Sequence, residues 1–183
     1  MKIPYKAVLL ILMVCIVAGT IQKASSEELP ANEYEVKAAF LHNILGFVQW
    51  PKDSQGTPDN RVNLCILGNG PFGNAVRNME GETIGDNKTI ALRYTKSLKG
   101  LNNCHILLIA PSEEDRIAQI VASLRGAHVL TLGDTEGFAQ KGVIINFYIE
   151  GAKVRFEINA NAAHRAGLKI SSRLLKLARV IDS

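Results

Sequence analysis

The sequence predicts an α/β fold: a single three-layer domain with a mixed sheet of about six strands, ending in a β-hairpin and a C-terminal helix. Three observations carry this expectation. Between residues 61 and 132, short apolar strand-like runs alternate with helical patterns, as in parallel strands joined by crossovers. Ile106-Leu107-Leu108-Ile109 is apolar without interruption, which suits a central strand covered on both faces. Towards the C-terminus, Val143 to Ile149 and Lys153 to Ile158 flank Glu150-Gly151 and read as a hairpin.

The chain starts with a different signal. Lys2 and Lys6 precede an apolar run from Ala7 to Gly19, and the small residues Ala24, Ser25 and Ser26 stand just before Glu27-Glu28. The run is shorter than the roughly 20 apolar residues that span a bilayer. Residues 1–26 therefore read as a cleaved secretory leader and residues 27–183 as the exported domain. Cleavage after Ser26 satisfies the small-x-small rule, with a cut after Gly19 as the alternative; a buried N-terminal helix is the competing structural reading. Cys15 lacks small residues before it, which argues against a lipoprotein leader. Without the leader, Lys and Arg fall from 21 to 18 against 17 acids, so the formal charge of +4 drops to near +1. No basic excess remains to suggest a nucleic-acid partner.

Within the domain, Asn32 and Glu35 have the spacing of a capping box and open a helix running to about Trp50. Tyr34, Ala38, Leu41, Leu45 and Val48 form one apolar stripe, and Val36, Phe40, Ile44 and Phe47 a second beside it. So wide a surface suits a helix packed deeply or shared with a partner. Pro51 ends it, and residues 52–60 form a polar loop. Arg61 to Leu67 is a strand, Pro71 to Glu80 a short helix, Lys88 to Tyr94 a strand, and Cys104 to Ala110 the buried strand. Ser112 caps the next helix, which has acids in its first turn and closes at Arg125-Gly126; Ala127 to Leu132 is another strand. In the second hairpin arm, alternation turns Val154, Phe156 and Ile158 to the core and Arg155, Glu157 and Asn159 outward. A final helix runs from about Ser171 to Val180 with Leu174, Leu175, Leu177 and Ala178 as its apolar side.

Few residues suggest chemistry. Two cysteines survive removal of the leader, Cys65 and Cys104. An even count in an oxidising compartment points to a disulfide, with two packed free thiols as the alternative. Gly68, Gly70 and Gly73 fit G-x-G-x-x-G between a strand and a helix, a setting that can hold a small anion or mononucleotide on backbone N–H groups. The strand that would supply a ribose-binding acid, Lys88 to Tyr94, contains none, and a tight structural turn explains the glycines equally. Histidines 42, 105, 128 and 164 are scattered, and no H-E-x-x-H, C-x-x-C or G-x-S-x-G occurs. The sequence thus predicts no catalytic residues, no metal and no cofactor. Arg165, Lys169, Arg173, Lys176 and Arg179 recur at near-helical spacing, as a solvated face or as a surface for an acidic partner or small anion.

Taken together, several segments resemble the YfiR/HmsC-like family of periplasmic proteins over nearly the whole mature chain. They are Ala38-Ala39-Phe40-Leu41 with Asn43, Phe47-Val48-Gln49-Trp50-Pro51, Cys65-Ile66-Leu67-Gly68 with Pro71-Phe72-Gly73, and Cys104-His105-Ile106-Leu107. Thr131-Leu132-Gly133-Asp134 with Gly137-Phe138-Ala139, Val154 to Asn159, Ala166 to Ser172 and Leu174 to Ala178 complete the set. The resemblance implies a non-enzymatic repressor that binds the periplasmic sensor part of an inner-membrane diguanylate cyclase and lowers cyclic-di-GMP. It also implies a homodimer and a Cys65–Cys104 disulfide. Some relatives have a second cysteine pair where this chain has Ala139 and Asn146. A membrane sensor kinase is an alternative partner, and a periplasmic small-ligand-binding protein the alternative function. The expected partner-binding residues are Arg155 and Glu157 on the outward hairpin face, extended by Arg165, Lys169 and Arg173. On that reading Glu157→Lys leaves folding almost unchanged and weakens partner binding.

Overall fold

The computed structural model describes residues 29–52, 60–84 and 87–183, with side chains from residue 33 onward. The predicted leader and nearly all of the loop 52–60 lie outside these residues. In chain order the elements begin with α1 (Leu29–Leu45), β1 (Val48–Gln49), β2 (Arg61–Leu67), α2 (Pro71–Ala75) with a 3-10 turn over Val76–Met79, β3 (Thr83–Ile84) and β4 (Lys88–Thr95). Then come β5 (Ile106–Ile109), a 3-10 segment over Pro111–Arg116, α3 (Ile117–Ser123), β6 (Leu130–Gly133), β7 (Ile145–Glu150) and β8 (Lys153–Asn159). The chain closes with α4 (Ala160–Arg165), β9 (Lys169–Ile170), α5 (Ser172–Leu175) and β10 (Arg179–Ile181).

Eight strands make one mixed sheet in the order β10-β8-β7-β6-β5-β2-β4-β3. The run from β7 to β4 is parallel, while β7–β8 and β4–β3 are antiparallel and β10 lies parallel to β8. Because side chains alternate along a strand, the sheet divides its apolar residues between two cores. Leu64, Ile66, Ile106, Leu108, Leu130 and Leu132 face one core with Leu41, Ile44 and Leu45 of α1 and Phe72 of α2. Cys65, Leu67, Leu107 and Ile109 face the other with Ile117 and Ile120 of α3, Leu124 and Phe138. All four residues of β5 are buried, so the uninterrupted apolar run is indeed the doubly covered centre. Cys65 and Cys104 are joined in a disulfide on the α3 side, their Cα atoms 5.8 Å apart.

The three-layer α/β class is as predicted; the count and ends of elements differ. The additional strands β1, β3, β9 and β10 have two or three residues each, too short to show a period. The first helix stops at Leu45, not Trp50: Gly46 and Phe47 turn back onto Asn43 and Ile44, and β1 pairs antiparallel with β9. Ser112 caps no α-helix; it lies in the 3-10 segment and its Oγ accepts from the Asn69 N–H at 2.8 Å. The predicted C-terminal helix ends at Leu175. Leu177, expected on its apolar side, is 71% exposed, and the chain straightens into β10 beside β8.

Candidate functional site

The hairpin gathers the densest set of polar groups away from the parallel centre. Strand register sets Gly133, Asn146, Glu157 and Arg179 in one row across β6, β7, β8 and β10. The Glu157 carboxylate accepts from Arg179 Nη2 at 2.6 Å and Nε at 3.1 Å, and from Asn146 Nδ2 at 3.2 Å. The Arg179 guanidinium lies 4.2 Å from the centre of the Tyr148 ring, close enough for a cation–π contact. The hydrogen bond that Arg179 donates to Glu157 holds its guanidinium above the usual arginine value. This row lies on the face opposite Phe147 and Phe156, as alternation predicted. Its burial corrects the sequence reading: Glu157 is only 2% exposed. Once the chain runs straight after Ala178, β10 pairs with β8 and Arg179 covers the carboxylate. The sequence reading had placed Arg179 on a helix and so left Glu157 open.

The other candidate partner residues separate. Arg155, two positions before Glu157 on the same face, remains half exposed and stands 3.9 Å from Glu150, itself largely exposed. Asn159, also expected outward, is fully buried; its Oδ1 accepts from Ala162 N–H at the start of α4 and its Nδ2 donates to the Ala139 carbonyl. Arg165 is exposed at the end of α4 and donates to the Ser183 carbonyl. Lys169 and Arg173 are exposed on β9 and α5. Among the described residues, no hydrogen bond or ion pair joins their side chains to the hairpin.

On the α1 side stands a second polar cluster that sequence reasoning missed. Lys37, 3% exposed, donates to Asp134 Oδ2 at 2.9 Å and pairs with Glu33 at 2.6 Å. Burial alone lowers a lysine, but the bonds that Lys37 donates to Glu33 and Asp134 outweigh it and raise Lys37 above its ordinary value. The signal was present as a lysine inside an apolar stripe and an acid ending an apolar strand, yet neither names its partner 97 residues away. Asp134 Oδ1, Thr135 Oγ1 and Asn146 Oδ1 are buried with no hydrogen-bond partner, at the end of β6 and on the adjoining β7.

The glycine loop lies where strand order reverses, beyond the carboxyl ends of β2 and β5, the usual crevice for a ligand in an open α/β sheet. Here the protein fills it. A Cβ on Gly68 (φ +84°) would come within 2.5 Å of Ser112 Oγ, one on Gly70 within 2.9 Å of Pro111 Cδ, and one on Gly73 within 2.8 Å of Ile66 Cγ2. Gly68 and Gly70 thus admit close packing of the segment after β5 and Gly73 that of Ile66 on β2, and the mostly buried carboxylate of Glu113, paired with Arg116, sits where an anion would approach. With α2 only five residues long, the loop has little to offer an anion. His105 Nδ1 accepts from the Asn63 N–H, and His128 Nδ1 lies 2.8 Å from the Ala166 carbonyl.

Several concave surfaces remain among the described residues, two of them beside the hairpin and α4. One, of about 570 Å³, lies between α1 and the hairpin tip, lined by Val36, Phe40, Ile149 and Val154 with Glu33, Lys153 and Arg155 at its rim. The other, of about 550 Å³, lies between the end of α3, residues 139–142 and α4, with Arg125, Lys141 and Arg165 as its charged residues. Among the described residues no cluster of three or more His, Cys, Asp and Glu side chains could hold a metal, and no helix is long and apolar enough to cross a membrane.

Fold and site together define a disulfide-bonded α/β domain with buried polar clusters and open grooves. A profile described as YfiR/HmsC-like matches residues 34–179, and the chain belongs to that family, one of periplasmic proteins. Among solved structures, a conserved domain protein from Vibrio cholerae O1 biovar El Tor N16961 is similar in fold, with a TM-score of 0.53 at 10% identity. The match covers 80% of this chain and 59% of that protein, so this chain spans about three-fifths of its relative. An ABC domain from Streptococcus pneumonia, solved in complex with L-Trp, aligns with a TM-score of 0.47 at 11% identity over 66% of this chain and 55% of that one.

Proposed function

We propose that this protein is a non-enzymatic periplasmic regulator that binds the periplasmic sensor part of an inner-membrane diguanylate cyclase and restrains it, lowering cyclic-di-GMP in the cytoplasm. The observation that carries this reading is the family match over residues 34–179, supported by the disulfide, which suits an oxidising compartment. The half-exposed Arg155 beside an open apolar groove offers a contact surface, and the reading includes pairing of two copies. A strain lacking the protein should hold several-fold more cyclic-di-GMP, restored to normal by the exported protein but not by a version without its leader. An unchanged level, together with failure to capture a cyclase from membranes, overturns the reading.

A second reading, a small-anion-binding protein, is favoured by one feature: every charged residue named around the α3–α4 cleft, Arg125, Lys141 and Arg165, is basic. Such a cleft could tune a regulator as well as define a carrier. Calorimetry with inorganic phosphate or nucleotides tests it directly.

A further inference from the structure

The stretch from Arg179 to Ser183 lies along the hairpin without sinking into it. β10 has three residues, pairs with β8 alone and forms one edge of the main sheet. Val180 is 44% exposed, and Leu177, just before the strand, is 71% exposed. Leu174 is the last fully buried side chain before it, with Leu175 and Ala178 partly buried against the same core. Apolar burial is what ties most strands down, and from Arg179 onward little of it is present.

Polar contacts hold the stretch instead, one set at each end. At the start, Arg179 donates twice to Glu157 and lies over the Tyr148 ring. At the far end, Asn159 Nδ2 donates to Ser183 Oγ at 2.7 Å, and both Nη1 and Nη2 of Arg165 lie 3.3 Å from the Ser183 carbonyl. The groups beneath have other partners as well. Glu157 accepts from Asn146, and Asn159 is bonded to the Ala162 N–H and the Ala139 carbonyl. Lifting the stretch therefore opens a carboxylate to water and leaves no buried polar side chain of this row stranded.

We infer that residues 179–183 form a releasable strap, latched by charge over the acidic side of the hairpin and able to lift while the rest of the domain stays folded. Closed, the strap hides the Glu157 carboxylate and the outer edge of β8. Open, it bares both, a short row of backbone N–H and C=O groups beside a negative charge. Any contact made through that edge is gated by the strap. The inference concerns the hairpin alone and stands apart from the function proposed above.

The test is residue-resolved hydrogen exchange on the exported, oxidised protein. Amides of residues 179–181 should exchange at least about a hundredfold faster than those of β5, at a rate that low denaturant leaves unchanged, as local opening requires. Raising salt from about 0.05 M to about 0.5 M should speed them several-fold, because the latch is an ion pair with one half-exposed partner. Arg179→Ala should speed them by at least about tenfold and leave β5 as it was. Exchange of β10 in step with β5, rising with denaturant, overturns the strap. Fast exchange that is indifferent to both salt and Arg179→Ala overturns the latch, since the strand then merely frays. Faster exchange of β5 in Arg179→Ala overturns the inference too, because the pair would then support the whole domain.

Discussion

The parallel centre of the sheet and the terminal hairpin bury their residues by opposite means. In β5 both faces are apolar and both are covered, by α1 and α2 on one side and α3 on the other. The hairpin has an aromatic face, with Phe147 and Phe156 against α1, and a polar face bearing Asn146, Tyr148, Arg155 and Glu157. That polar face is half closed: Glu157 is shut in by Arg179 from the short edge strand, while Arg155 stays in water. Alternation therefore tells which way a side chain points, but only the neighbouring strand decides whether the face it points to is buried.

The largest expected effect breaks that closure. Glu157→Lys removes the carboxylate beneath Arg179 and puts a second cation in its place, 2% exposed and beside Asn146. Stranding a charge in a buried pair costs roughly 3–5 kcal/mol. The lower end is expected here, because Arg179 is half exposed and can turn into water. Chemical denaturation measures it; a loss below about 0.5 kcal/mol would mean that β10 does not cover the hairpin. Reduced partner binding by this variant is therefore no sign of a contact at Glu157 unless its fold is shown to be intact.

On the central side, Cys65→Ser should cost roughly 2–5 kcal/mol, as usual for a native disulfide in a small secreted domain. The bridge closes a separation of 39 residues and joins β2 to the chain entering β5. Hydrogen exchange should show protection falling first in β2, β4 and β5, with the hairpin less affected. Equal loss in both regions would show the sheet opening as one unit and erase the contrast between them.

Much of the centre was legible in the sequence for the reason that makes it stable. Apolar runs such as Ile106 to Ile109, and strands of seven or eight residues such as β2 and β4, carry their own period. The cysteine pair was readable from count and compartment. What failed depended on distant chain. Lys37 finds Asp134, Glu157 finds Arg179, and β1 finds β9, each through tertiary contact across short or irregular segments. The glycine loop shows the same limit. Its pattern fits a ligand turn, but the backbone is brought close by the protein's own Pro111, Ser112 and Glu113. For Arg155 and Glu157 the sequence told that they share one side of β8 and could not tell that Glu157 lay under Arg179.

The smallest effect is expected two residues from the largest. Arg155 shares the outward face with Glu157 but pairs only with Glu150, at 3.9 Å, and both side chains are at least half exposed. Such a pair contributes about 0–1 kcal/mol, and surface changes of this kind usually stay within about 0.5 kcal/mol. Arg155→Ala should therefore leave the denaturation midpoint almost where it was, while Glu157→Lys lowers it clearly in the same experiment. The two variants differ little in strand position and face, so the gap between them isolates the covering of the carboxylate by Arg179. Arg179→Ala extends the comparison: with the cover removed, Glu157 gains access to water, and a later Glu157→Lys change should cost less than it does in the wild type. Equal costs in the two backgrounds would show that the burial of Glu157 owes nothing to the edge strand's arginine.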